Sequence, residues 1–388
     1  TTFADTVAAA TVALTDTTGT IAFNGNLTVT TALTTASEDY AVSILGGSNT
    51  IAGTTTFSNT GGVTLGNGGD TVAFTAGVIS TASTTTTSAT ISATNAVITF
   101  GAVTLAGTTE LDTNAAANSA DLTLGAVTSG GNNLTLDTSA VAGAAISVAS
   151  FAGGGVLTIR DSGGTTFAGT VAAATVALTD TTGTIQFSDN LTVTTALTTA
   201  SQAYLVSILG SANVIAGTTT FLNTGVVTLG NAGGDSTTFT AGVVATVPSA
   251  LNIAGTVAAN TSTSTMALGD GDTNVAVTAN TTVGGAATGL IDIGDATLVD
   301  GATLTVGTGI ANPINLDKVT GTASGAVSSL TINTSGLVNV AEAVGTDIGV
   351  VTLTQSGGTT FADTVAAVTV TLTDTTGTIA FNGNLTVT

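Results

Sequence analysis

Thr1 to Ser37 reads TTFADTVAAATVALTDTTGTIAFNGNLTVTTALTTAS, and the stretch that it opens, Thr1 to Val78, returns almost letter for letter at Thr165 to Val243. A third copy starts at Thr359 and reaches Thr388 in mid-pattern, which predicts that the chain is a window on a longer polymer. Self-similarity over such lengths marks repeat architectures, in which each unit buries its apolar face against a neighbour instead of in a central core. Inside the block the recurring signal is a triplet of apolar, small or polar, apolar residues: Val12-Ala13-Leu14, Ile21-Ala22-Phe23, Leu27-Thr28-Val29, Val42-Ser43-Ile44. Period-two alternation sends both large side chains to one side and the middle residue to the other, which is strand behaviour. Asp16-Thr17-Thr18-Gly19, Asn24-Gly25-Asn26 and Gly46-Gly47-Ser48-Asn49 separate the triplets, and Gly and Asn let very short strands turn corners.

Two or three such strands make a coil of about 20 residues, the size of a small solenoid repeat. The expected fold is therefore all-β: a single-stranded parallel β-helix, or β-solenoid, running through residues 1–388 as one continuous rod. Its long repeats are 1–164 and 165–358, with a truncated third copy at 359–388. The competing fold is a string of immunoglobulin-like sandwiches, which have longer strands and often a buried Trp; this chain has no Trp. Val141 to Ile159, the longest uncharged and apolar-leaning run, holds Gly and Ser and the same short alternations, so it reads as strands and not as a membrane span.

Composition narrows function. Charged residues make up 6% of the chain, against about 25% in ordinary globular domains, so hydroxyls and amides must supply most of its polarity. The net charge of -21 comes from 23 acids and only 2 bases, Arg160 and Lys318. Binding nucleic acid or an anionic membrane needs clustered Lys and Arg, so both are excluded as partners. Without Cys or His, thiolate sites and ordinary zinc sites are excluded too. Arg160 beside Asp161, and Lys318 beside Asp317, read as local charge neutralisation at coil corners.

Two loops are candidate calcium sites. Asp270, Asp272 and Asn274 alternate as hard oxygen ligands do, although Val275 and Thr281 stand where an EF-hand loop has Gly and Glu. Asp70 closes Gly66-Asn67-Gly68-Gly69-Asp70, the core of a calcium-binding nonapeptide that the second copy interrupts with an inserted residue before Asp235. A solvated turn is the alternative at each loop. No cofactor is expected beyond that calcium. For catalysis, the adjacent acids Glu38-Asp39 become Gln202-Ala203 in the second copy, and few bases exist to tune a carboxyl, so the chain reads as non-enzymatic. A threonine array of the ice-binding kind needs repetition at every coil, whereas the threonine runs here are irregularly spaced.

The block TVALTDTTGTIAFNGNLTVTTAL and the many G-x-V-T-L units resemble the β-strand-repeat surface proteins of Gram-negative bacteria: haemagglutinin-type adhesins, autotransporter passengers and some surface-layer proteins. That resemblance is one of style and implies export to the cell surface or beyond, a right-handed helix, and a role as stalk, adhesin or filament. The expected function is the shaft of an extracellular fibre, with the chain itself as partner through head-to-tail or lateral association. An adhesin binding glycan or host protein through 246–358 is the alternative, and functional amyloid a weaker one.

Overall fold

The computed structural model describes residues 1–116, 120–323 and 325–388. Among them every regular element is a strand, and the strands pair in parallel. They form a β-solenoid of about 18 coils, about 21 residues each. Immunoglobulin-like sandwiches would require antiparallel ladders, so the competing fold falls. The chain divides into two compact units, 1–188 and 189–388.

In the first unit each coil lays one short strand on each of three faces. The first face stacks Phe3, Phe23, Ile44, Leu65, Thr87 and Leu105, then continues through the coils of Val127 and Phe151. The third stacks Val78, Ile98, Leu122, Ile146, Thr165 and Ile185. Middle residues of the triplets point outward, and their neighbours are sealed inside: Phe23, Val42, Ile44 and Leu65 are at most 1% exposed. Full burial of such a side chain contributes about 1.5–3 kcal/mol, so the column of apolar residues supplies the cohesion that few charges could.

The outward residues also stand in register. Ser43, Thr64, Thr86, Thr104 and Thr128 form one column in the first unit. In the second unit Ser236, Thr256, Thr282, Thr305, Thr331, Thr352 and Thr371 form another. Irregular spacing along the sequence thus hides regular spacing in space, because the extra residues lie in the corners.

Polar side chains stitch successive coils. Asn213, 1% exposed, accepts the Leu191 N–H at 3.0 Å through Oδ1, and its Nδ2 donates to the carbonyls of Gly210 (2.6 Å) and Ser236 (3.3 Å). Asn49 makes the matching set with Leu27, Gly46 and Thr71 in the first copy. Where coils touch at a corner there is no room for a side chain: a Cβ on Gly155 would lie 1.8 Å from the Asn132 carbonyl oxygen.

The long repeat is not a whole number of coils. Phe3 and Phe23 begin the first face, but their second-copy equivalents, Phe167 and Phe187, lie on the third. From Phe3 the first face is revisited seven times, up to Phe151, and Phe167 follows two faces later, so 164 residues cover seven and two-thirds coils. The core tolerates the shift because the block carries its own stacking: Phe3–Phe23, Phe167–Phe187 and Phe361–Phe381 each stack at 4.9–5.1 Å within 6° of parallel. In the second unit the third-copy strands Gly358–Phe361 and Ile379–Phe381 again leave the face of Leu205–Ile208, joining that of Thr219–Thr220.

Candidate functional site

The second face, carried by Thr109–Asp112, Leu134–Asp137 and Val156–Asp161 among others, ends at a corner to which four successive coils bring an acid: Asp112, Asp137, Asp161 and Asp180. A hydroxyl residue follows each one: Thr113, Thr138, Ser162 and Thr181, all buried. Alternation explains the pairing, since the acid points out of the strand and the next residue points in. The inward hydroxyls hold the corner: Thr138 donates to the Ala144 carbonyl (2.7 Å), and Ser162 shares hydrogen bonds with Thr165 and Thr181 (2.9 Å each). Asp112 accepts the Asn114 N–H and Asp137 the Ser139 N–H, each at 2.7 Å. Both donors sit in the left-handed region, with φ of 42° and 54°, where short polar residues bend the chain most readily.

Glu110 shares the outward side of its strand with Asp112, and carboxylate oxygens of Glu110, Asp112 and Asp137 lie within 4.8 Å of one another. The Arg160 guanidinium closes the group, donating to Glu110 and, at 3.4 Å, to Asp137 Oδ2. The hydrogen bond donated to Glu110 is the main reason that the guanidinium is held above its ordinary pKa. Burial, and then repulsion from Asp137 and Glu110, push the Asp112 carboxyl up against the lowering pull of the Asn114 N–H and of Arg160. Burial likewise raises Asp161, with Asp137 and Asp180 adding to it. Oxygen donors at this separation suit a hard divalent cation, but the guanidinium already supplies the positive charge. As it stands the corner is an ion-pair network spanning three coils.

Sequence reading missed this group and paired the bases wrongly. Arg160 reaches Glu110 and Asp137, not Asp161, and Lys318 reaches Asp295, not Asp317. Side chains one or two coils apart meet across the ladder, which adjacency along the chain does not reveal. The signal that could have found the site is the Asp-Thr or Asp-Ser step after a triplet, at Leu111-Asp112-Thr113, Leu136-Asp137-Thr138 and Arg160-Asp161-Ser162.

Of the candidate calcium residues, Asp70, within the strand Val63–Phe74, and Asp270, in a turn, each hold amide hydrogens of their own loop. Asp70, 8% exposed, accepts the Asn67 N–H at 2.8 Å. Asp235 does the same for Asn231 and Ala232 despite the inserted residue. Asp270 Oδ1 accepts the N–H groups of Asp272 (3.0 Å) and Thr273 (2.8 Å), while Asn274 takes the Thr297 hydroxyl on the next coil (3.1 Å). Among the described residues Asp270 and Asp272 join no group of three carboxylates as close as that at Glu110. No described helix is long and apolar enough to cross a membrane.

The second unit carries an open groove of about 390 Å³ on an outer face, lined by Pro313, Asn315, Leu337, Asn339, Gly358 and Thr360 among others. Leu337 is 69% exposed there, and Gly358 leaves the adjoining position empty of side chain. Compared with family models, curated proteins and solved structures, the chain matches none of them.

Proposed function

We propose that this chain is a non-enzymatic structural segment of an extracellular fibre or surface stalk. The observation that carries the reading is the seating of one repeated block on unlike coils: Thr165–Phe167 pairs with Ile146 to Val148, and Gly358–Phe361 pairs with Leu337–Val340. A block that stacks equally well on different neighbours is a building element, since backbone hydrogen bonds and a column of Phe and Leu ask little of the coil beneath. Outer faces polar through threonine, and an acidic balance, suit material that stays soluble while being almost uncharged per residue. Surface placement rests on the resemblance of the repeated block to bacterial β-strand-repeat surface proteins. Negative-stain microscopy of the purified chain tests the reading: elongated rods are expected, and compact particles end it.

The groove at Leu337 favours a second reading, an adhesin whose glycan or protein ligand is held in coils 246–358. Leu337→Ala with Asn339→Ala should then abolish attachment with the melting profile unchanged.

A further inference from the structure

The two long copies provide an internal comparison on one core. Residues 36–62 and 200–226 align without a gap and differ at eight positions. The inward residues are identical: Tyr40 and Tyr204, Val42 and Val206, Asn49 and Asn213, Phe57 and Phe221. Five of the eight differences meet at the corner where the chain returns from its Phe57 or Phe221 strand to the next coil. Glu38, Asp39, Ala41, Ser58 and Gly62 of the first copy face Gln202, Ala203, Leu205, Leu222 and Val226 of the second. Each change removes charge or polarity, or adds apolar surface.

Within the second unit these positions are stacked. The Thr224 N–H donates to the Gln202 carbonyl at 2.8 Å, and the Ser249 N–H to the Thr224 carbonyl at 3.0 Å, which carries the corner on to Val247. Leu205, Leu222 and Val247 stand 38%, 42% and 44% exposed, while the first-copy corner exposes no large apolar side chain. From residue 190 to 269 the chain has one ionisable side chain besides tyrosine, Asp235, itself 9% exposed.

We propose that this corner is the contact through which a second copy of the chain associates, corner against corner. A chain of net charge -21 repels its own copies over most of its surface, and close approach is cheapest where the acids have been withdrawn and aliphatic side chains put in their place. The same patch on both partners gives a two-fold contact, which closes on itself. Only three large aliphatic side chains stand exposed at the corner, so the pairing is weak and concentration-dependent. The proposal rests on the fibre reading, to which it adds the lateral contact.

The test is sedimentation of the full chain against a variant carrying the first-copy residues, Gln202→Glu, Ala203→Asp, Leu205→Ala, Leu222→Ser and Val226→Gly. Because the same residues already fold on the same core at 38–62, the variant keeps its circular dichroism and melt. Its dimerisation constant should weaken at least about tenfold. The reciprocal exchange, Glu38→Gln, Asp39→Ala, Ala41→Leu, Ser58→Leu and Gly62→Val, should add a second contact and species larger than the dimer. A parent chain that remains monomeric at roughly 100 µM, or a five-residue variant that pairs as the parent does, overturns the proposal. So does a monomeric parent that floats with neutral phosphatidylcholine vesicles in a corner-dependent way. Rods in the microscope without pairing in the centrifuge would sink the contact and leave the fibre reading standing.

Discussion

Replacing Asn213 by Asp changes one atom type in a side chain that ties three coils together. The acceptor for the Leu191 N–H survives, but both donors to Gly210 and Ser236 are lost, and a carboxylate oxygen is left where nitrogen stood 2.6 Å from the Gly210 carbonyl. Each buried carbonyl left without its donor costs about 1–3 kcal/mol, so the variant should lose about 3–5 kcal/mol of local stability at pH 7. Protonation gives back one O–H donor, so the folded form binds a proton more readily than the unfolded chain. Burial against carbonyls raises the introduced carboxyl above its unfolded value of about 3.9, and a rise to about 6 corresponds to about 2.9 kcal/mol. The sign follows: the compensation is fully present below about pH 4 and is lost as pH rises through that folded value. Hydrogen exchange of peptides spanning 189–216, corrected for intrinsic rates from about pH 4 to 8, should show protection falling with pH in the Asp variant. Asn213→Ala should show a deficit that does not vary with pH. An Asp variant as protected as the parent at pH 7, or a profile parallel to that of the Ala variant, would refute the assignment of Asn213 as a clamp.

Gly155→Ala should destabilise the first unit by several kcal/mol, since its Cβ would meet the Asn132 carbonyl at 1.8 Å, while Gly154→Ala, with open space around it, costs chiefly backbone strain at φ of 80°; thermal melts of the two rank them. Raised carboxyls at Asp112 and Asp161 favour the folded state when protonated, so their contribution is present at low pH and is lost as pH rises through the folded values. Arg160→Ala should steepen that loss, lowering the melting midpoint at pH 7 by about 2–4 °C and little at pH 4.5, and millimolar calcium should restore the variant more than the parent. Phe187→Ala removes a fully buried ring stacked 5.1 Å from Phe167 and should cost about 3–5 kcal/mol, read as a lower denaturant midpoint; a change under about 1 kcal/mol would count against the ring column as a source of cohesion.

The strand content and the coil size were legible because alternation is a property of consecutive residues: Val42-Ser43-Ile44 announces which two side chains go inward without knowledge of any neighbour. What lies above and below a given triplet was not legible, since triplets on all three faces look alike and corner loops of differing length shift the count. That is why the sequence does not reveal Asp112 and Asp137, 25 residues apart, as neighbours, and why it points Arg160 to the acid beside it. The threonine columns were hidden for the same reason. Asp70 and Asp270 stand out in the sequence as oxygen-rich loops, but only the folded backbone shows that their carboxylates already hold amide hydrogens.

The fractional step of the long repeat has a geometric outcome. Within the first unit, whatever is written once into the 164-residue text falls a third of a lap short when its copy begins, so the same letters are set on a different side. A mark carried by both copies there would look out in two directions, whereas a text of whole laps would aim both the same way.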